Sequence, residues 1–377
     1  MRIRTTCAIV AAAVLPLALA GCTEKSETDT DAITVNATDD ACDVAKTSAE
    51  TGNTAFSVTN NGSKATEFYV YGEGDRVMGE VENIGPGLTR QLIVALNEPG
   101  TYQTSCRPGM VGDGIRADFT VTGEAKAPDD GSALAAAADS YKRYVVSQTV
   151  ALQETTDKFV EAVKAGDIEA AKAQFATART YYERIEPVAE SFPDDLDPRL
   201  DLREPDVEPG QPWTGFHRIE KDLWAQGLQP DTNAIADQLQ ADVGELVARV
   251  NAPEMEFDPI QTAGGAAGLL EEVARTKITG EEDFFSHTDL WDFQANVDGS
   301  QAAVAAVRPI IDEKDPELGL RIDQRFADVN AELAKYHQGD GFVSYDTVTE
   351  QQRQELSKKL DALLAEVSNV QGVVAGQ

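Results

Sequence analysis

His217 and Glu220 stand three residues apart in the run Gly215-Phe216-His217-Arg218-Ile219-Glu220. On a helix that spacing puts an imidazole and a carboxylate on one face. Such a pair can ligate one cation, or it can be a surface histidine beside a helix carboxylate. Glu183 and Glu186, in Tyr181-Tyr182-Glu183-Arg184-Ile185-Glu186-Pro187, repeat the spacing with two acids. Their mutual repulsion is a few tenths of a kcal/mol if exposed and larger if buried. A bound cation removes it, and Arg184 would do the same. Further acids cluster at Glu271-Glu272 and at Glu281-Glu282-Asp283, and the latter run is followed by His287 and Asp289. His287 and Asp289 suit a supporting pair or a helix N-terminus. Gly264-Gly265-Ala266-Ala267-Gly268 lets helices approach closely, but it lacks the lysine and spacing of a phosphate loop. No G-x-S-x-G and no H-E-x-x-H occurs, so the usual serine-hydrolase and zinc-protease signatures are missing. Trp224, Trp291 and Phe293 read as core aromatics.

Helices must hold these groups. Residues 134–165 carry Leu134, Tyr141, Tyr144, Val145, Leu152, Phe159, Val160 and Val163 at helical spacing, and Gly166-Asp167 ends the run. A second helix is expected over 168–191, kinked or restarted at Pro187. Residues 193–212 read as a Pro/Asp-rich loop, and further helices fall near 214–227, 231–251, 259–278, 287–312, 316–338 and 347–373. Antiparallel bundles are the natural packing. Residues 33–122 differ in character: ITVNA, TAFSVTN, EFYVY, RQLIVAL, GTYQTSC and ADFTVTG alternate between turn signals, which predicts an antiparallel sandwich of about seven strands. Residues 123–133 form a Pro/Gly/Asp linker.

The chain has 377 residues, with 65 Asp and Glu against 32 Lys and Arg, a net charge of −33. That balance excludes a nucleic-acid binder, and 42% hydrophobic residues is enough for real cores. All three histidines and most of the acid excess lie in the helical half. Arg2 and Arg4 precede an apolar run that closes on Leu19-Ala20-Gly21-Cys22. This reads as a lipoprotein signal over 1–21, lipidation at Cys22 and a polar tether over 22–32. No later stretch reaches the roughly 18 apolar residues a membrane span needs. With Cys7 removed and Cys22 acylated, Cys42 and Cys106 remain in an oxidising compartment.

YYERIEPVAESF, TGFHRIEKDLW, GGAAGLLEEVARTKITGEED, SHTDLWDFQANVDG and GFVSYDTV, in this order, resemble the imelysin-type domain of EfeO-like iron-uptake proteins over roughly 134–375. The preceding residues 33–122 resemble the cupredoxin-like domain of the longer members. The resemblance implies an N-terminal all-β cupredoxin-like sandwich followed by an all-α imelysin-type domain of two packed four-helix bundles. It implies a lipid-anchored protein on the extracytoplasmic face of the cell membrane. That protein would bind Fe2+ or Fe3+ and deliver it to an oxidase-dependent iron permease, with a haem-containing dye-decolourising-type peroxidase as a second partner. Carried onto this chain, the HxxE motif is His217 and Glu220. The acidic part of the metal site draws on Glu183, Glu186, Asp201 and Glu282. Oxygen donors with one imidazole suit iron. A zinc-type metallopeptidase with Glu183 as base is the alternative.

The sandwich departs from a blue-copper protein. Residues 33–122 contain no histidine; Cys106-Arg107-Pro108-Gly109-Met110 puts Met110 where the copper loop has histidine, and the upstream slot reads Thr66-Glu67-Phe68. A type 1 copper centre is excluded. Two readings stay open: a Cys42–Cys106 disulfide, or a copper or iron ion held by Cys42, Cys106, Glu67 and Met110.

Overall fold

The computed structural model describes residues 32–126 and 132–376. The expected signal and its Cys22 lie outside them, as do most of the tether and part of the linker.

The N-terminal part is a two-sheet sandwich of nine strands: β1 Ile33–Ala37, β2 Cys42–Val44, β3 Ser48–Glu50, β4 Gly52–Asn60, β5 Thr66–Tyr71, β6 Val77–Ile84, β7 Thr89–Leu96, β8 Gly100–Pro108 and β9 Ile115–Thr122. One sheet runs β2-β1-β4-β7 and the other β3-β9-β8-β5-β6. The sandwich is mixed rather than purely antiparallel, because β1 pairs with β4 and β3 with β9 in parallel. Alternation along the strands turns Val35, Phe56, Val58, Phe68, Val70, Leu92, Phe119 and Val121 into a shared core. Phe56 anchors it, with ring centroids 5.2 Å from Phe68 and 5.6 Å from Phe119.

The C-terminal part is helical: α1 Ala133–Ala165, α2 Ile168–Glu183, α3 Glu186–Glu190, α4 Leu196–Asp201, α5 Gly215–Lys221, α6 Thr232–Val250, α7 Pro259–Arg275, α8 Asp289–Lys314, α9 Pro316–Leu333, α10 Glu350–Val367 and α11 Val370–Ala375. The only described strands here are the short β10 His337–Gln338 and β11 Gly341–Phe342. Ser132 caps α1 by accepting from the Ala135 N–H, and Gly166 closes it in the left-handed conformation. Long helices α7, α8, α9 and α10 pack as one four-helix group, and α1, α2 and α6 pack with the short α4 and α5 as the other. Helix α8 touches both groups. Gly299 on α8 permits this contact, since a Cβ there would lie 2.3 Å from the Arg184 carbonyl oxygen.

Of the two expectations at Pro187, the restart holds and the kink does not: α2 ends at Glu183, Ile185 leaves helical geometry, and Pro187 sits in the first turn of α3. The stretch 193–212 is not wholly loop, because Leu196–Asp201 forms α4. Strands β6 and β7 rest against α7, and α11 touches β7. There the Ile93 N–H donates to Gln371 (3.2 Å), whose amide in turn donates to the Ile260 carbonyl. The two parts enclose a cleft of about 900 Å³ lined by Glu80, Glu82, Arg90, Glu190, Glu271 and Glu272. No helix among the described residues is long and apolar enough to cross a membrane.

Candidate metal centre

Helix α5 begins where only glycine fits. Gly215 has φ +84°, and a Cβ would lie 2.1 Å from the Leu200 carbonyl oxygen of α4. Two hydrogen bonds bind the connection: Trp213 Nε1 donates to Leu202 O (2.6 Å) and Thr214 Oγ1 to Arg199 O (2.9 Å). Asp201, the last residue of α4, therefore faces His217, the third residue of α5. Glu282 and Asp283 enter from the segment between α7 and α8.

All four of these groups and Glu220 are buried. The two nitrogens of His217 face different carboxylates. Nε2 lies 3.5 Å from Asp201 Oδ1 and 3.7 Å from Glu282 Oε1. Nδ1 lies 3.1 Å from Glu220 Oε2 and 3.9 Å from Asp283 Oδ1. Two three-donor groups result, Asp201/His217/Glu282 and His217/Glu220/Asp283, each compact enough to hold a metal ion. The sequence-derived residues His217, Glu220, Asp201 and Glu282 are thus brought together. Glu183 and Glu186 belong to neither group. They lie beside them around Lys277, whose Nζ is 3.3 Å from Glu183, 3.5 Å from Glu282 and 3.8 Å from Glu186. Asn296 donates to Glu183 and Glu186 from the opposite helix.

Arg179, fully buried on α2, threads the acids. It pairs closely with Glu183 and Asp201, and lies 3.1 Å from Glu282, 3.5 Å from Asp283 and 3.6 Å from Asp292. The expected neutraliser, Arg184, instead pairs with Asp298 at 2.9 Å. Sequence reading passed over Arg179, Lys277 and Asp292, and left Asp283 and Asp289 outside the ligand set. The signals were there: Arg179 precedes Glu183 by four residues, and Asp289 and Asp292 share the three-residue spacing of His217 and Glu220.

Acids outnumber cations, and the imbalance shows in protonation. Burial pushes Asp292 well above the usual carboxylate range, with Asp283 adding to it and Arg179 opposing. Burial and Asp283 push Asp289 up to about 8. Glu282 moves the other way: burial would raise it, but Lys277, His217 and Arg203 together hold it well below the usual range. Burial and Arg179 disfavour a charge on His217, yet Asp201, Glu220 and Glu282 outweigh them and push it up to about 10. His217 Nε2, Asp289 Oδ2 and both carboxylate oxygens of Asp292 are buried without a hydrogen-bond partner among the described residues. Buried polar groups left so are costly. Carboxylates converging on an imidazole nitrogen form a donor set that matches a hard or borderline transition-metal ion once that nitrogen gives up its proton.

The sandwich resolves differently. Cys42 and Cys106 form a disulfide with Cα atoms 5.5 Å apart, so neither sulfur is a thiolate and the copper or iron site on Cys42, Cys106, Glu67 and Met110 is not formed. Glu67 is buried, accepts from Tyr69 Oη (3.1 Å) and faces Arg107 at 3.5 Å. Met110 Sδ lies 3.6 Å from Arg275 Nη1 of α7. Both residues serve the contact between the two parts of the chain.

Family models match along the chain: an imelysin model of the peptidase M75 class over residues 137–370, and a cupredoxin-like domain model over residues 9–121. Relatives include the iron uptake system component EfeO of Escherichia coli O157:H7, 41% identical over 353 residues and 92% of each chain. The EfeO of strain K12 gives the same identity and coverage, and that of E. coli O1:K1 / APEC is 42% identical over 349 residues and 91% of each chain.

Proposed function

The chain belongs to the imelysin family in its EfeO-like, cupredoxin-bearing form, and from that premise we propose that it captures iron outside the cytoplasmic membrane as part of an iron uptake system. Asp201, His217 and Glu282 take the ion, and the surrounding acids hold the local potential negative. The observation that carries this reading is His217 Nε2, buried, without a hydrogen-bond partner, and set between two carboxylates. An ion there gives Nε2 the partner it lacks and draws on two carboxylates that Arg179 already holds in place. Lipidation at Cys22 would tether the protein beside an oxidase-dependent permease that accepts the iron, and a haem-containing peroxidase would be a further partner.

The role is one of binding rather than catalysis. Peptide hydrolysis requires a free general base near the metal. Glu183, the candidate base, is engaged by Arg179 and Lys277. Metal analysis after reconstitution of the purified protein tests the proposal. Stoichiometric iron is expected in the parent and strongly reduced iron in Asp201→Asn, His217→Ala and Glu282→Gln. Parent protein that retains no iron, or variants that retain as much as the parent, would refute it.

A further inference from the structure

Glu220 occupies the second position of a motif whose spacing suggests two metal ligands, yet both of its oxygens already have partners. Oε1 accepts from the backbone N–H groups of Phe285 (2.9 Å) and Ser286 (2.7 Å). Oε2 lies 3.1 Å from His217 Nδ1. A carboxylate can only accept, so Nδ1 carries the hydrogen of this pair. In the neutral ring the lone pair then sits on Nε2, the nitrogen that faces Asp201 and Glu282 and lacks a partner.

The Phe285–Ser286 amides belong to the segment that also delivers Glu282 and Asp283. Within that segment the His287 N–H donates to the Asp283 carbonyl (2.8 Å), and the Tyr345 N–H donates to the His287 carbonyl (2.9 Å). Glu220 thus ties α5 to the other half of the site. Were it to turn toward an ion, two backbone N–H groups would lose their acceptor, which is costly for buried donors.

We propose that Glu220 is a positioning residue and not a ligand: it fixes His217 in the tautomer that binds through Nε2, and it docks the segment carrying Glu282 against α5. The ion is then held by Asp201, His217 Nε2 and Glu282, and the Nδ1-side group of Glu220 and Asp283 does not ligate. This rests on the iron-binding reading above. A carboxylate behind a metal-bound histidine typically contributes 10–100-fold to metal affinity.

Two measurements test it. The first uses the parent protein loaded with Zn2+ as a diamagnetic probe. With only three histidines in the chain, 15N shifts of labelled histidine identify the bound nitrogen; Nε2 of His217 is expected, and binding through Nδ1 overturns the proposal. The second uses Co2+. Glu220→Gln keeps an acceptor for the loop amides but presents an N–H to Nδ1 or loses that bond. Its Co2+ affinity should fall roughly 10–100-fold while the visible bands of the bound ion keep the parent's positions and intensities. Asp201→Asn should shift those bands. Bands altered in Glu220→Gln as they are in Asp201→Asn, or an affinity unchanged within about twofold, overturn the inference alone. Parent protein that takes up neither Co2+, Zn2+ nor iron overturns the iron-binding reading and this inference with it.

Discussion

Arg179 places a permanently charged guanidinium among Glu183, Asp201, Glu282, Asp283 and Asp292, with no exposure to solvent. Removing one partner of a buried charge network strands the others, typically at 3–5 kcal/mol. Arg179→Met should therefore lower the Tm of the iron-free protein by an amount equivalent to about 3–5 kcal/mol, and saturating iron should recover most of the loss. A Tm insensitive to the substitution would contradict the pairing. His217 supplies a pH dependence with a definite sign. Its folded value is raised to about 10 by Asp201, Glu220 and Glu282, against burial and Arg179. Its ion pairs stabilise the iron-free fold fully below the unfolded value of about 6.5, and this contribution disappears as pH rises through about 10. On the proposed binding mode an incoming iron ion displaces the Nε2 proton, so affinity should climb about tenfold per pH unit between about pH 6 and 9. Competition titrations against a chelator of known pH dependence would show it; a flat profile would mean that His217 does not ligate.

Short elements carry the site, and they are where sequence reading is weakest. Helix α4 has six residues and α5 seven, too few for a periodic signal, and their juxtaposition depends on Gly215. Gly215→Ala puts a methyl against the Leu200 carbonyl in a left-handed conformation. It should cost about 1–3 kcal/mol and weaken iron binding, whereas Gly268→Ala, which meets open space on α7, should do neither. Equal effects from both would remove Gly215 from the account. Long amphipathic helices such as α1 and α9 were legible because one apolar stripe repeats over many turns. The family resemblance named His217, Glu220, Asp201 and Glu282, which the fold brings side by side. Strand β6 was not legible: Met78, Glu80 and Glu82 alternate with Val77, Gly79 and Val81, but its apolar face is thin and Asn83, at φ +55°, sits where the register shifts; Glu80 and Glu82 line the cleft against the helical half. Arg179 and Lys277 escaped notice for a related reason. Sequence shows which acids exist but not which basic residues fold in among them.

Across the whole molecule, two features set how the sandwich and the helical part depend on each other. The disulfide closes a separation of 64 residues within the sandwich, which corresponds to about 4 kcal/mol of loop entropy. Reduction, or a paired Cys42→Ser/Cys106→Ser variant, should lower the sandwich transition by that amount and leave iron stoichiometry intact; lost iron would implicate the sulfurs after all. The cleft between the parts holds Glu82 and Glu271, each raised to about 7 chiefly by burial, with Glu67 adding for Glu82, and Arg275 and Arg90 respectively opposing. Raised carboxylates favour the assembled form fully below their ordinary value of about 4.5, and the advantage is lost as pH rises through about 7. Calorimetric transitions of the two parts should merge near pH 5.5 and separate near pH 8, and a pH-independent separation would contradict this. The buried lysine and arginine beside the candidate ligands have one more consequence. Carboxylates crowded together with no counter-charge would drive one another apart. Lys277 and Arg179 are covalently fixed among Glu183, Asp201 and Glu282 and so hold this pocket in shape whether or not an ion is present.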